Sequence, residues 1–268
     1  MKSRSILRRV LSLAVLAGVV LFLLAGCAGS KEGSGNTDYE DMKAVFDQSG
    51  LLSANIGFFS KTEKDGSISY GNCGSGVIFR KDGGTYYALT AAHVVSAENV
   101  QLLVFTVNTE MKSDNIPGMD FNVLAPEAYD SMTPAAVAFV SARDDLAIIR
   151  FSSEEDLAVM PIAEDDPKTG DRILCVGNPQ NDWFAVSCGK VTSGIETFGE
   201  LQGIPSKAMK HSAYMHVGSS GGAAVNEKME LIGTTPGGSY SLDGKTFNYG
   251  VLIPVSEIRL CLRDWSGE

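Results

Sequence analysis

The chain has 268 residues, 44% of them apolar and 20% charged, which is ordinary for a globular protein and enough for one large core or two small ones. It carries 22 cationic against 32 acidic side chains, a net charge of −10, which disfavours nucleic acid as a partner. The 29 glycines and the scarcity of long amphipathic patterns favour short strands and turns over helices.

Lys2, Arg4, Arg8 and Arg9 form a basic head, residues 10–24 an apolar run, and small residues follow. This is the pattern of a secretory signal, and the run is too short for a comfortable membrane span. It ends in Leu24-Ala25-Gly26-Cys27, which resembles the lipobox of bacterial lipoproteins. That resemblance implies a signal peptide over residues 1–26, diacylation of Cys27, and a place on the extracytoplasmic face of the cell membrane. Loss of the four basic residues leaves 18 cationic against 32 acidic side chains, so the mature domain is repelled by an anionic membrane surface and lipid serves as the anchor. Residues 27–50 are expected to form the lipidated N-terminus and tether. Within them, 28–37 read as a small polar linker and 38–48 as a short helix.

Globular structure is expected from residue 51, with strands at 54–59 and 73–79, a Lys81-Asp82-Gly83-Gly84 hairpin turn, and strands at 86–90 and 99–107. Residues 108–133 lack periodicity and read as an inserted surface loop. Strands follow at 135–141 and 146–151, then an acidic connector at 152–156. A second half repeats the rhythm at 171–176, 183–191, 222–225, 230–235 and 246–253. Short strands at this spacing argue for an all-β sandwich or barrel. Only the end reads clearly as a helix, where Val255, Ile258, Leu262 and Trp265 form one apolar stripe after Pro254.

Gly218-Ser219-Ser220-Gly221-Gly222 supplies a hydroxyl flanked by glycines that admit close backbone approach, so Ser220 is a candidate nucleophile. The amides of Gly218 and Ser220 are candidate oxyanion donors. The same letters fit the elbow of α/β-hydrolases, but there the histidine follows the serine, whereas His93, His211 and His216 all precede Ser220. His93, just after the apolar stretch Leu89-Thr90-Ala91-Ala92, is the candidate general base. An imidazole titrating near about pH 6.5 accepts a proton at neutrality, so activity is expected to fall in acid. Asp145, at the start of a strongly apolar strand, is the candidate that orients the imidazole, while Asp144 is expected to be solvated. Four cysteines remain, Cys73, Cys175, Cys188 and Cys261, a number compatible with disulfides in an exported chain. Their pairing is open: Cys175 and Cys188 sit on neighbouring strands and could face each other, and buried free thiols fit equally well. No metal-ligand spacing occurs.

The strings SGVIF, ALTAAHVV, DDLAIIRF, VGNP, GKVTSGIE, GSSGGAAVN and GVLIPVSEI follow one another in the order seen in trypsin-like serine proteases, and the chain resembles their HtrA-type subgroup. The resemblance implies an all-β fold of two six-stranded Greek-key β-barrels, about 51–155 and 156–254, with a terminal helix over 255–265 and the site between the barrels. It implies a serine endopeptidase with no cofactor or metal, acting on peptide or unfolded protein. The specificity pocket would be lined by Tyr214, Met215, His216, Thr234 and Thr235. Ser219 stands where relatives more often carry Asn or Asp, so activity is expected without zymogen cleavage. A member without the PDZ module that HtrA-type enzymes usually carry is expected. The alternative is a catalytically silent member that binds peptides at the cell surface, kept open by the chance of a flipped peptide at Gly218. An anchored solute-binding protein fits less well, because that class is expected to be larger and α/β.

Overall fold

A computed structural model describes residues 39–111, 113–114, 123–124, 126–179, 183–201 and 204–267. The basic head, the apolar run, Cys27 and the tether expected at 28–37 lie outside these described residues. Helix α1 (Glu40–Ser49) comes first and ends at Gly50, whose φ of 75° closes it. Met42 and Phe46, one helical turn apart, are buried in the core. Arg172 grips both carboxylate oxygens of Asp41 at 3.0 Å and also reaches Glu227. Packed structure is therefore already present ahead of residue 51. Two apolar positions in a polar helix gave too weak a pattern to separate docked helix from tether.

The first half runs β1 (Asn55–Lys64), β2 (Ser67–Asp82), β3 (Thr85–Ala91), helix α2 (Ala92–Val95), β4 (Val100–Phe105), the short pair β5 (Ser113–Asp114) and β6 (Val123–Leu124), helix α3 (Pro126–Asp130), β7 (Thr133–Ser141) and β8 (Leu146–Ser152). Six of these strands close a barrel in the order β1-β2-β3-β8-β7-β4. Strand alternation explains why β3 and β8 read as unbroken apolar runs, since both of their faces are covered. Tyr86, Ala88, Ala147 and Ile149 point into the barrel, while Leu89, Leu146 and Ile148 point outward into a second apolar layer. Described parts of the segment read as an inserted surface loop are instead packed. Leu124, Ala128 and Met132 are buried against Phe59, Leu103 and Phe105, and Tyr129 stacks on Tyr70 with ring centroids 3.7 Å apart.

The second half contains β9 (Arg172–Gly177), β10 (Ala185–Lys190), β11 (Glu196–Leu201), β12 (Ile204–His211), β13 (Gly222–Val225), β14 (Leu231–Tyr240), β15 (Phe247–Pro254) and helix α4 (Val255–Asp264). It is a seven-stranded sheet in the order β10-β9-β13-β14-β15-β12-β11. A bridge between Val191 and His211 carries the end of β10 onto β12, so six of the strands curl into a second barrel and β11 hangs on its edge. The β11–β12 hairpin was not legible beforehand, because its residues show neither clean alternation nor an apolar run. In α4 the buried stripe is Val255, Ile258 and Cys261, whereas Leu262 is only half-buried. Among the described residues, no helix is long and apolar enough to cross a membrane.

The outward layer of the first barrel meets Leu174, Val176, Ala223, Val225, Leu231 and Ile253 of the second, with α1 and α4 packed on the same cluster. The two halves are thus held by a shared apolar layer, and the serine turn lies along it.

Candidate active site

His93 sits in α2, directly after β3 delivers Ala91 and Ala92 from the barrel. Asp145 follows a 3-10 turn (Ala142–Asp144) and adopts the left-handed conformation, φ 50° and ψ 40°, that Asp tolerates better than most residues. The two are tied three ways. Ala92 N–H donates to the Asp145 carbonyl at 3.1 Å, His93 N–H to Asp145 Oδ1 at 2.9 Å, and the ring meets Oδ2 through Nδ1 at 2.8 Å. With Nδ1 engaged by a carboxylate, Nε2 is left as the acceptor. Asp144, expected in solvent, is instead 2% exposed. Arg143 pairs with both of its oxygens at 2.8 and 2.9 Å and Ser141 Oγ donates at 2.8 Å, which compensates its burial and anchors the turn that presents Asp145.

Ser219 N–H donates to the His216 carbonyl at 3.0 Å, and Gly218 has a φ of 98°. A positive φ at the third residue of such a turn makes it type II, with the Val217–Gly218 peptide turned over from its type I orientation. Among the described residues, neither the Gly218 nor the Ser220 amide donates a hydrogen bond. The free donor within the turn and the one directly after it are the candidate pair for an oxygen anion. Ser219 is 7% exposed, and its hydroxyl accepts from His216 N–H within the turn, at 3.4 Å.

The glycines on either side allow the turn to press onto the first barrel. A Cβ on Gly221, whose φ is 85°, would run into Thr90 Oγ1, the Ser75 carbonyl and the Ala91 amide, two residues from His93. A Cβ on Gly74 would stand 2.7 Å from the Ser220 carbonyl and 3.4 Å from Val94. This close approach carries the half-buried Ser220 to the strand end that bears His93. No hydrogen bond joins Ser220 Oγ to His93 among the described residues.

Of the residues expected around the specificity pocket, Tyr214 is 53% exposed and His216 also faces solvent, while Met215, Thr234 and Thr235 are buried. Thr235 Oγ1 points at the Gly222 carbonyl at 3.3 Å, so its side chain serves the serine segment. Tyr240, which sequence reasoning missed, donates its hydroxyl to the Met215 carbonyl and packs with Phe247, whose ring also meets Tyr214. Desolvation at this position pushes the Tyr240 phenol above its ordinary range. The tyrosine bridges the two segments expected to wall the pocket. Ser75 and Asn178 were also missed. Each is a polar residue inside an apolar string, and that was the available signal.

Cys175, Cys188 and Cys261 are free thiols. The register opposes Cys188 to Leu174 and Cys175 to Ser187, so alternation turns the two cysteines to opposite faces of the sheet and they do not meet. The side chain of Cys73 lies outside the described structure.

The pattern described as a trypsin-like peptidase domain matches residues 74–233, a span that contains His93, Asp145 and Ser220. A protein named serine protease HtrA-like from Staphylococcus aureus (strain USA300) is 30% identical over 225 residues, covering 76% of this chain and 26% of that protein. Its counterpart in strain MRSA252 is 29% identical over the same length. The chain thus spans about a quarter of the length of these relatives. Among solved structures, the serine endoprotease from Yersinia pestis aligns with a TM-score of 0.57 at 24% identity, over 84% of this chain and 66% of that one. An inactive mutant form of Rv3671c from M. tuberculosis aligns with a TM-score of 0.58 at 14% identity, over 91% and 98%. At these identities the two structures attest the fold. With the match to residues 74–233 covering more than half of its length, the chain belongs to the trypsin-like peptidase family.

Proposed function

We propose that this chain is a serine endopeptidase that cleaves peptide bonds through an acyl-enzyme. Ser220 Oγ attacks the carbonyl carbon while His93 Nε2 takes its proton, and Asp145 stabilises the imidazolium that forms. The oxyanion is held by the amides of Gly218 and Ser220. His93 then returns the proton to the leaving amine as the C–N bond breaks, and water, activated by the same imidazole, releases the acyl group and restores the hydroxyl. The observation that carries this reading is the pair of unoccupied amides in a type II turn, because a flipped peptide at Gly218 would need a negative φ there. Ser219 stays within its own turn, which supports activity without N-terminal cleavage.

The pocket reading favours small side chains, supported by Tyr240 closing the space between Met215 and β14. The substrate class is peptide or unfolded protein, and the place of work the outer face of a membrane, with Cys27 carrying lipid. This placement is supported by the basic head, the apolar run and the Leu24-Ala25-Gly26-Cys27 string.

The second reading is a silent peptide-binding member, favoured by the missing hydrogen bond between Ser220 and His93. A fluorophosphonate serine probe separates the two. Applied to residues 38–268, it is expected to label wild type and leave Ser220→Ala unmodified by mass spectrometry. A folded wild type that stays unlabelled would leave the binding reading.

A further inference from the structure

One residue of the first barrel holds the serine turn from behind. Ser75, on β2, is 1% exposed. Its N–H donates to the Ser220 carbonyl at 2.8 Å, and its hydroxyl donates to the Gly218 carbonyl at 2.7 Å. A serine hydroxyl has one proton to give, so this donation fixes its rotation and turns its lone pairs to Asn178. They accept from the Asn178 backbone N–H at 2.8 Å and from Nδ2 at 3.3 Å. The Gly218–Ser219 peptide is thereby tied at both ends, its carbonyl to Ser75 and its N–H to the His216 carbonyl.

We propose that Ser75, seated on Asn178, is a positioning residue for the reaction: it keeps the segment from Gly218 to Ser220 in the turn that leaves both amides free. The inference rests on the serine-endopeptidase reading given above. Ser75 touches neither substrate nor reacting atoms and acts only through the backbone of the serine turn.

Asn178 shows how firmly this seat is built. It is fully buried after β9, its Nδ2 also donates to the Ile56 carbonyl at 3.0 Å, and its Oδ1 accepts from Phe184 N–H at 2.9 Å. Phe184 has a φ of 57°, which a bulky side chain adopts only where its surroundings over-determine it. Its ring packs 5.7 Å from Phe105 of the first barrel. The pair thus locks the serine turn to both barrels at once. With Ser75 truncated, the Gly218 carbonyl and the Asn178 N–H are left buried without their partner, and the turn relaxes to find other donors.

The test compares wild type, Ser75→Ala and Ser75→Cys, the last keeping a polar atom at the γ position, slightly larger and a weaker donor. Two readouts are taken: the rate and end point of fluorophosphonate labelling, and kcat and KM on fluorescein-labelled denatured casein. Both variants are expected to reach the full end point of one label per molecule. Their labelling rate and kcat should fall roughly 10- to 100-fold with KM unchanged. A role in folding alone would lower the end point and leave the rate per competent molecule intact, and that result overturns the proposal. So does a folded variant that labels at the wild-type rate. If Ser75→Ala fails to fold, Ser75→Cys decides. A wild type that does not label removes the endopeptidase reading and this inference with it, whereas normal labelling by wild type and both variants removes the inference alone.

Discussion

Inside the second barrel, His211 points into an apolar cluster with Met209 and Ala213, and its Nε2 has no hydrogen-bond partner. Gly250, directly across the strand pair, makes room for the ring, since a Cβ there would overlap the imidazole. Burial lowers the His211 pKa to about 4 from an ordinary 6.5. The unfolded chain therefore takes up a proton before the folded one does. The corresponding stability is complete above about pH 6.5 and is lost progressively as pH falls toward 4. His211→Leu removes this pH dependence, so urea titrations are expected to show wild type losing about 3 kcal/mol relative to the variant between pH 7.5 and pH 4. Parallel curves for the two proteins would show that His211 does not set this slope. At this scale, His93, Asp145 and Ser220 were singled out as candidates because each stands in a distinctive local string. Asp144 and Ser75 were not, because their burial depends on partners that only the folded chain supplies.

Helix α1 shows how an element can be seen without its role being seen. Its existence followed from composition, but its docking depends on Met42 and Phe46 finding the shared layer and on Arg172 of β9 reaching Asp41. Replacing Phe46, fully buried, with alanine is expected to cost about 3–4 kcal/mol. Val45→Ala, on the 53% exposed face next to it, should change stability by less than about 0.5 kcal/mol. Denaturant midpoints of the two variants check this, and equal midpoints would mean that the helix is not anchored. The β11–β12 hairpin failed to register for another reason: β11 is the edge strand of its sheet, and in β12 the buried Ala208, Met209 and His211 are interleaved with lysines rather than set in an apolar run.

The whole molecule has one barrel interior on each side and a common apolar layer between them, to which both barrels and both long helices contribute. Neither barrel can open without exposing part of that layer. A single unfolding transition is therefore expected. Trp183 lies in the aromatic cluster at the first barrel, and Trp265 packs on Tyr87 and Phe79 in the shared layer. Their combined fluorescence should track far-UV circular dichroism through one denaturation curve. Two separated steps would mean that the barrels unfold independently.

The sequence by itself determined the fold class and the alternation of most strands, and it singled out His93, Asp145 and Ser220 as candidates in that order, because these are written locally in apolar runs, turns and short strings. Only the tertiary structure decided the packing of the insertion, the opposed faces of Cys175 and Cys188, the free amides of the serine turn and the seat that Ser75 and Asn178 build for it. Each of these is a contact between residues far apart in the chain. Register, burial and hydrogen-bond partnership across such distances are properties of the assembled layers, not of any one stretch.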